Sequence, residues 1–374
     1  SSVTGKARVK SFADPEYSIK INAKGLKTNA VASVVDALKN NQDGTIDFNV
    51  SGRGNLDRVE DSLFKGSAVL KGLIFKWAGI ETPLTLSADV RYSGDTYNVR
   101  VGKMESGRSQ LAFSGVYKNK EHPELVAKLI GKTLAVDELI SEKTDDDGVE
   151  ISFKEILEKS RLLSSGTSKI SVDLEQLDYK WLTLSDVSGR FSLKDQEIVF
   201  DGLQVGLQNP IKLDGKFSVQ DSEVIRFETQ LQAKDVEARK LLSMFGNHFR
   251  DGLTGNVKKL DLSFRSRGRN LSESIRTLNG KASLHLAKGT IDKKKLKAGT
   301  FDLFGLEMPV EDKSKIEIDP GFSNYVDISG DFAHIGGIAE TENFTYETGQ
   351  RKSFIVGKFD LNNLEMDTVV GVAP

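Results

Sequence analysis

The chain carries four histidines, His122, His248, His285 and His334, and no cysteine. No two histidines show the His-x-x-x-His spacing that sets a pair of imidazoles on one helical face for zinc. Without thiols there is no disulfide frame, thiolate site or thiol nucleophile. His285 stands between Leu284 and Leu286 in an alternating run, so it faces away from them and reads as a surface residue. Asp145-Asp146-Asp147-Gly148 invites a calcium loop, but the EF-hand pattern needs ligands at alternate positions and Val149 breaks it. A solvated acidic loop over Glu142–Gly148 is the expectation. Gly52-Arg53-Gly54 lacks the third glycine and the strand–helix setting of a dinucleotide fingerprint, and reads as two turn glycines. No Gly-x-Ser-x-Gly elbow occurs. The residues offer no clustered catalytic constellation, metal site or cofactor cradle, and the chain reads as a non-enzyme.

Two basic clusters stand out, Arg265, Arg267 and Arg269 with Lys258 and Lys259, then Lys293, Lys294, Lys295 and Lys297. Either is a solvated strand face or a guarded edge, or an attraction to anionic headgroups at about 1 kcal/mol per basic residue near a charged membrane. Nucleic acid is not an expected partner. Aromatic residues are not interleaved as stacking platforms, and 52 basic against 54 acidic residues leave a net charge of −2.

The elements that must position these residues are strands. Glycine is abundant (34) and proline scarce (7) over 374 residues. Glycines precede alternating runs at Gly66, Gly189, Gly215, Gly280 and Gly357, which reads as turns leading into half-buried strands. The same period of two appears in Tyr17/Ile19/Ile21, Leu84/Leu86/Ala88/Val90, Leu203/Val205/Leu207, Leu260/Leu262/Phe264 and Val326/Ile328. Short helices are expected at Ala30–Leu38, Phe153–Leu163, Val236–Phe245 and Ser274–Leu278, the last capped by Ser272. Laid against itself the chain repeats at about 100 residues: Lys76-Trp77 answers Lys180-Trp181, and Gly115-Val116-Tyr117 answers Gly215-Lys216-Phe217. The joins divide the chain into 1–40, a partial β repeat ending in a short helix; 41–148, a β repeat; 149–250, a β repeat with a leading helix; and 251–374, a C-terminal β domain. No apolar run approaches the roughly 20 residues of a membrane helix, and Ser1 does not begin a signal peptide. The expectation is a soluble segment cut away from an anchor.

The rhythm Gly-x-apolar-x-apolar, then Pro-x-apolar alternation closing on a short helix, resembles the AsmA-like proteins of Gram-negative envelopes. Pro15 to Leu26, Pro123 to Leu134 and Glu223 to Val236 carry it. The stretch Asn270 to Leu284, then Ala287-Lys288-Gly289-Thr290-Ile291 and the closing Gly357-Lys358-Phe359-Asp360-Leu361, is similar to that family's C-terminal domain. The resemblance implies a mainly β fold: an elongated antiparallel sheet curled into a U-shaped groove, built from repeats of roughly 100 residues with a few short helices. It implies a periplasmic location, with an inner-membrane anchor outside this chain. Its function would be to bind phospholipid acyl chains and help move them between inner and outer membrane. Both membranes, reached through the termini or through envelope proteins, would be partners.

The residues expected to line that groove, or a closed core, are the alternating sets Ile19, Ile21, Leu84, Leu86, Leu111, Phe113, Phe191, Leu193, Leu203, Val205, Ile225, Phe227, Leu284, Leu286, Phe359 and Leu361. A one-residue slip of register would turn any of these sets to the other face. A sheet of this kind must cover its apolar face with another sheet, helices or acyl chains, and lipid burial supplies about 0.8 kcal/mol per CH₂. The alternative role is a non-catalytic envelope scaffold or outer-membrane assembly factor that binds protein by β-edge addition.

Overall fold

The computed structural model describes residues 1–10, 15–28, 41–75, 82–139, 165–179, 182–194, 197–206, 209–220, 224–243, 252–269, 271–292, 322–349, 351–360 and 365–373. The expected helices Ala30–Leu38 and Phe153–Leu163, the Lys-Trp pairs, the acidic loop, Lys293–Lys297, His248 and Leu361 lie outside them. The described residues are almost all strand and form one open sheet of 20 strands, mostly antiparallel, whose first and last strands do not pair. Val, Ile, Phe and Tyr alternate with Lys, Ser, Asp and Thr in nearly every strand, the pattern of a sheet with one apolar and one polar face.

The chain separates into two compact units. The first holds β1 (Ser2–Lys10), β2 (Glu16–Lys27), β3 (Asn41–Asn55), β4 (Arg58–Phe75), β5 (Leu84–Ser93), β6 (Thr96–Ser106), β7 (Ser109–Lys118), β8 (Glu124–Ala135) and β9 (Thr167–Tyr179). Each pairs antiparallel with the next up to β8, and β8 pairs parallel with β9. A four-residue helix, α1 (Val136–Leu139), follows β8. Glu138 fixes it: its carboxylate accepts from the backbone N–H of Arg108 at 2.7 Å and from Arg108 Nε at 2.7 Å. Arg108 also reaches the buried Asp178 of β9 at 2.9 Å.

The second unit holds β11 (Glu197–Val205), β12 (Ile211–Gln220), β13 (Val224–Ala233), β14 (Val236–Glu237), β15 (Asn256–Gly268), β16 (Asn279–Asp292), β17 (Phe322–Ile335), β18 (Ile338–Glu347), β19 (Lys352–Asp360) and β20 (Glu365–Ala373). Residues of β10 (Leu182–Lys194) are divided between the two units. From β11 onward the pairing is antiparallel, with β15 taking both β13 and the short β14 along one edge.

Two of the expected helices begin elsewhere. Val236 and Glu237 are captured by β15, so α2 runs only over Ala238–Ser243. Helix α3 spans Leu271–Arg276 instead of Ser274–Leu278. It starts earlier because Glu273 reaches back to the Arg269 N–H at 2.9 Å, and Thr277, not Leu278, makes the last turn's bond to the Glu273 carbonyl.

The glycine reading is corrected more widely. Gly66, Gly189, Gly215, Gly280 and Gly357 are not turns before strands but lie inside β4, β10, β12, β16 and β19, and Gly52 and Gly54 lie inside β3. A neighbouring strand's ring occupies the space of the missing side chain: Phe64 against Gly52, Phe113 against Gly102, Phe200 against Gly215, Phe264 against Gly280 and Phe344 against Gly330. A Cβ on Gly215 or Gly280 would stand 2.6 Å from the facing ring. Glycine opposite phenylalanine leaves room for each ring over the neighbouring strand.

Candidate functional site

Cross-strand partners share a face, so the registers state which side chains stand together. In the first unit one row runs Ile46, Leu70, Ala88, Gly102, Phe113, Leu129, Val172 from β3 to β9. A second runs Ala7, Ile19, Gly52, Phe64 from β1 to β4. The opposite face is polar, as in the row Lys6, Lys20, Ser51, Lys65, Ser93. An apolar patch of Ala112, Val116, Val126 and Ile130 on β7 and β8 interrupts it. In the second unit the central row is Phe200, Gly215, Thr229, Phe264, Gly280, His334, Ala339, Phe359.

Three bulges keep the apolar face in phase. Between Ala23 and Leu26, Leu70 and Leu73, and Phe200 and Leu203 the register shifts, and each shift holds a glycine in the left-handed region: Gly25 (φ 62°), Gly72 (φ 56°) and Gly202 (φ 62°). Each glycine's N–H is taken by a polar side chain of the neighbouring strand, Asp47 at 2.6 Å, Ser87 at 2.9 Å and Asp214 at 2.5 Å. The extra residue inverts the alternation, and the following leucine lands back on the apolar side. Lys71 sits 2.6 Å from Asp47 and, with the Gly25 N–H, holds that carboxyl below the usual carboxylate range.

Burial along this face is graded. At the strand ends near α1 and α2 it is a dry core: Leu73, Phe75 and Leu84 pack with Ile46, Leu70, Leu86 and Met104 in the first unit, and Ile211, Val257, Leu286 and Ile328 are buried in the second. Burial raises the Tyr325 hydroxyl to about 12, and that hydroxyl donates to the Thr254 carbonyl. Toward the other strand ends the face opens. Phe64 and Tyr97 are each 38% exposed, and Tyr92, Tyr97 and Tyr117 form a ladder with ring centroids 6.2 Å apart. Among the described residues, substantial contacts run only between hydrogen-bonded strands and between each short helix and its adjoining strand. Concavities of about 1060 Å³, lined in part by Ile19, Gly52 and Phe64, and about 940 Å³, lined in part by Phe200, Phe264 and His334, occur one in each unit.

The registers bring Ile19, Ile21, Leu84, Leu86, Leu111 and Phe113 to the apolar face of the first unit. Leu203, Val205, Phe227, Leu284, Leu286 and Phe359 share that of the second, while the side chain of Ile225 lies outside the described residues. Phe191 and Leu193 lie in β10, half-buried and buried. The sets are not uniform: Leu84, Leu111, Leu193, Val205 and Leu286 are core, Leu86 packs against that core, and Ile19, Ile21, Phe113 and Phe227 are half-exposed. Sequence reasoning passed over the glycine–aromatic rows, whose signal was a Phe in register with each Gly, and over His334. That imidazole sits on the apolar face with the edge of Phe264 at 5.0 Å between centroids, its Nδ1 without a hydrogen-bond partner, and burial lowers its pKa. His285 is on the polar face, 2.6 Å from Asp327. Arg265 and Arg267 lie on that face of an interior strand, so edge guarding does not account for them.

Among the described residues no group of acidic or histidine side chains is placed to hold a metal, and no helix is long and apolar enough to cross a membrane. Compared with protein-family models, with curated proteins and with solved structures, the chain matches none.

Proposed function

We propose that the apolar face is a binding surface for lipid acyl chains, that the sheet curls around it as a groove of repeated units, and that the chain is the periplasmic part of an inner-membrane-anchored protein moving phospholipid between inner and outer membrane. One observation carries the acyl part: a face apolar in register from strand to strand and half-exposed over its open portion. Burying it in a chain of methylenes returns about 25 cal/mol per Å² with no demand on orientation, which suits a cargo that slides. The resemblance to AsmA-like proteins supplies the location and the direction of the proposal. The role is non-catalytic.

Native mass spectrometry of protein purified without detergent, with extraction of bound lipid, tests it. Ile19→Asp and Phe227→Asp put a carboxylate on half-exposed positions of the face and should remove most co-purifying phospholipid while leaving a folded protein. Val205→Asp is the contrasting control, because Val205 is 5% exposed and its loss should unfold its unit. A folded, lipid-free wild-type protein defeats the acyl reading.

A second reading, protein binding by β-edge addition, has its own observation. β20 pairs only with β19 among the described strands and exposes Val369 (74%), Val370 (54%) and Val372 (60%) on both faces, without a lysine or proline to guard it. In a lipid-free protein this edge becomes the leading site.

A further inference from the structure

At the open ends of β13 and β15, four arginines converge. Arg226 and Arg267 are direct cross-strand partners on the polar face. Arg269 follows β15 and Arg276 ends α3, and with Glu273 and Thr277 all four line a concavity of about 430 Å³. Direct partners hold their Cβ atoms about 5 Å apart, and like charges so placed repel. The nearby carboxylates are already engaged. Glu273 accepts from the Arg269 N–H at 2.9 Å and lies 3.7 Å from its Nε. Glu228, two residues along β13, faces Arg265 across the ladder and pairs with Lys216 at 3.4 Å. Among the described residues no ion pair reaches Arg226, Arg267 or Arg276.

The backbone beneath them is fixed. The Arg267 N–H donates to Thr277 Oγ1 at 3.0 Å, the Thr277 hydroxyl donates back to the Arg267 carbonyl, and the Ser266 hydroxyl donates to the Ser274 carbonyl at 2.5 Å. Gly268 lies so close to α3 that a Cβ there would stand 2.6 Å from the Ser274 nitrogen. The ladder and these bonds, not a loop, set the spacing of the guanidinium groups. A tetrahedral oxyanion answers this arrangement, because guanidinium forks bind phosphate oxygens in pairs and an anion between them cancels the repulsion.

We propose that this corner is a phosphate site, with Arg226 and Arg267 as paired forks and Arg269 and Arg276 on its flanks. A phospholipid headgroup and a soluble phosphate present the same oxyanion. The site is on the polar face and stands independently of acyl binding on the apolar one.

The test uses the full chain as wild type, as R226Q/R267Q, and as R53Q/R91Q, which removes equal charge from the polar face of the first unit. Inorganic phosphate is titrated by calorimetry and thermal shift. Flotation with vesicles of phosphatidylcholine, with and without phosphatidylglycerol, is run at about 0.15 M salt. Wild type and R53Q/R91Q should bind, and R226Q/R267Q should bind roughly tenfold more weakly or worse. Its ligand-free melting temperature should equal or exceed wild type, since the repulsion is relieved. A response to phosphate without vesicle preference assigns a soluble source, and the converse assigns a headgroup. Undiminished binding by R226Q/R267Q, an equal loss in R53Q/R91Q, wild type responding to neither probe, or a lower melting temperature of ligand-free R226Q/R267Q overturns the proposal.

Discussion

At the residue scale, His334 is the titratable member of an otherwise uncharged row, and its titration reports on that face. Burial places its folded pKa below the ordinary 6.5. The unfolded chain therefore takes up the proton first. Stability from the neutral ring is complete above 6.5 and drains away as pH falls from 6.5 toward the lower folded value. His334→Phe keeps a ring against Phe264 and removes the proton site, so its melting temperature should lack this acid-side decline while keeping the wild-type value at higher pH. Parallel curves for the two proteins across that range would show that His334 is as solvated as a surface histidine. The pairing of glycine with phenylalanine belongs to the same scale: a residue type that looks like punctuation in one dimension is a seat for a ring in two.

At the scale of elements, the bulges decide whether alternation can be trusted. In β11, Ile198 and Phe200 share a parity with each other but not with Leu203 and Val205, yet all four stand on one face because Gly202 absorbs a residue. Nothing lies within 4 Å of a Cβ built on Gly202, so Gly202→Ala meets backbone strain alone, costing about 1 kcal/mol. Asp214→Ala leaves the Gly202 N–H without its acceptor and should cost a similar amount. The two together should cost less than their sum, because both act on one bulge; urea denaturation of the single and double variants measures the coupling, and strict additivity would show the bulge to be indifferent to Asp214. Much of the fold was legible in the sequence for the reason the bulges also reveal: strands such as Leu84–Ser93 keep strict alternation and read correctly, and the Gly-Leu step at 25–26, 72–73 and 202–203 marks where parity flips. Pairing order was not legible, since no local pattern says that Val236 joins β15 or that β8 and β9 run parallel. The apolar sets were visible for the candidate site as well. Which members are core and which half-exposed follows from position along the strand, a long-range property that composition does not carry.

At the scale of the molecule, a net charge of −2 hides a sorting of charge onto one face of each unit's strands, interrupted by apolar patches such as Val126 and Ile130. Ion pairs such as Lys71–Asp47 at 2.6 Å and Lys358–Glu340 at 2.6 Å stitch neighbouring strands on one face, while rings and leucines fill the other. Since substantial contacts link each strand chiefly to its hydrogen-bonded neighbours, stability should accumulate from strand to neighbouring strand, as in repeat proteins. A lesion should then be felt locally. Leu73 is 1% exposed at the centre of the first unit's core, and Leu73→Ala should cost about 3 kcal/mol through lost burial and a cavity. Hydrogen exchange should quicken in β4, β5 and β6 and stay unchanged in β15 to β17. Uniform acceleration across both units would mean that they unfold as one, and the face would then have to be treated as a single cooperative surface. Local acceleration would mean that segments of the sheet can open separately, as contacts confined chiefly to hydrogen-bonded neighbours predict.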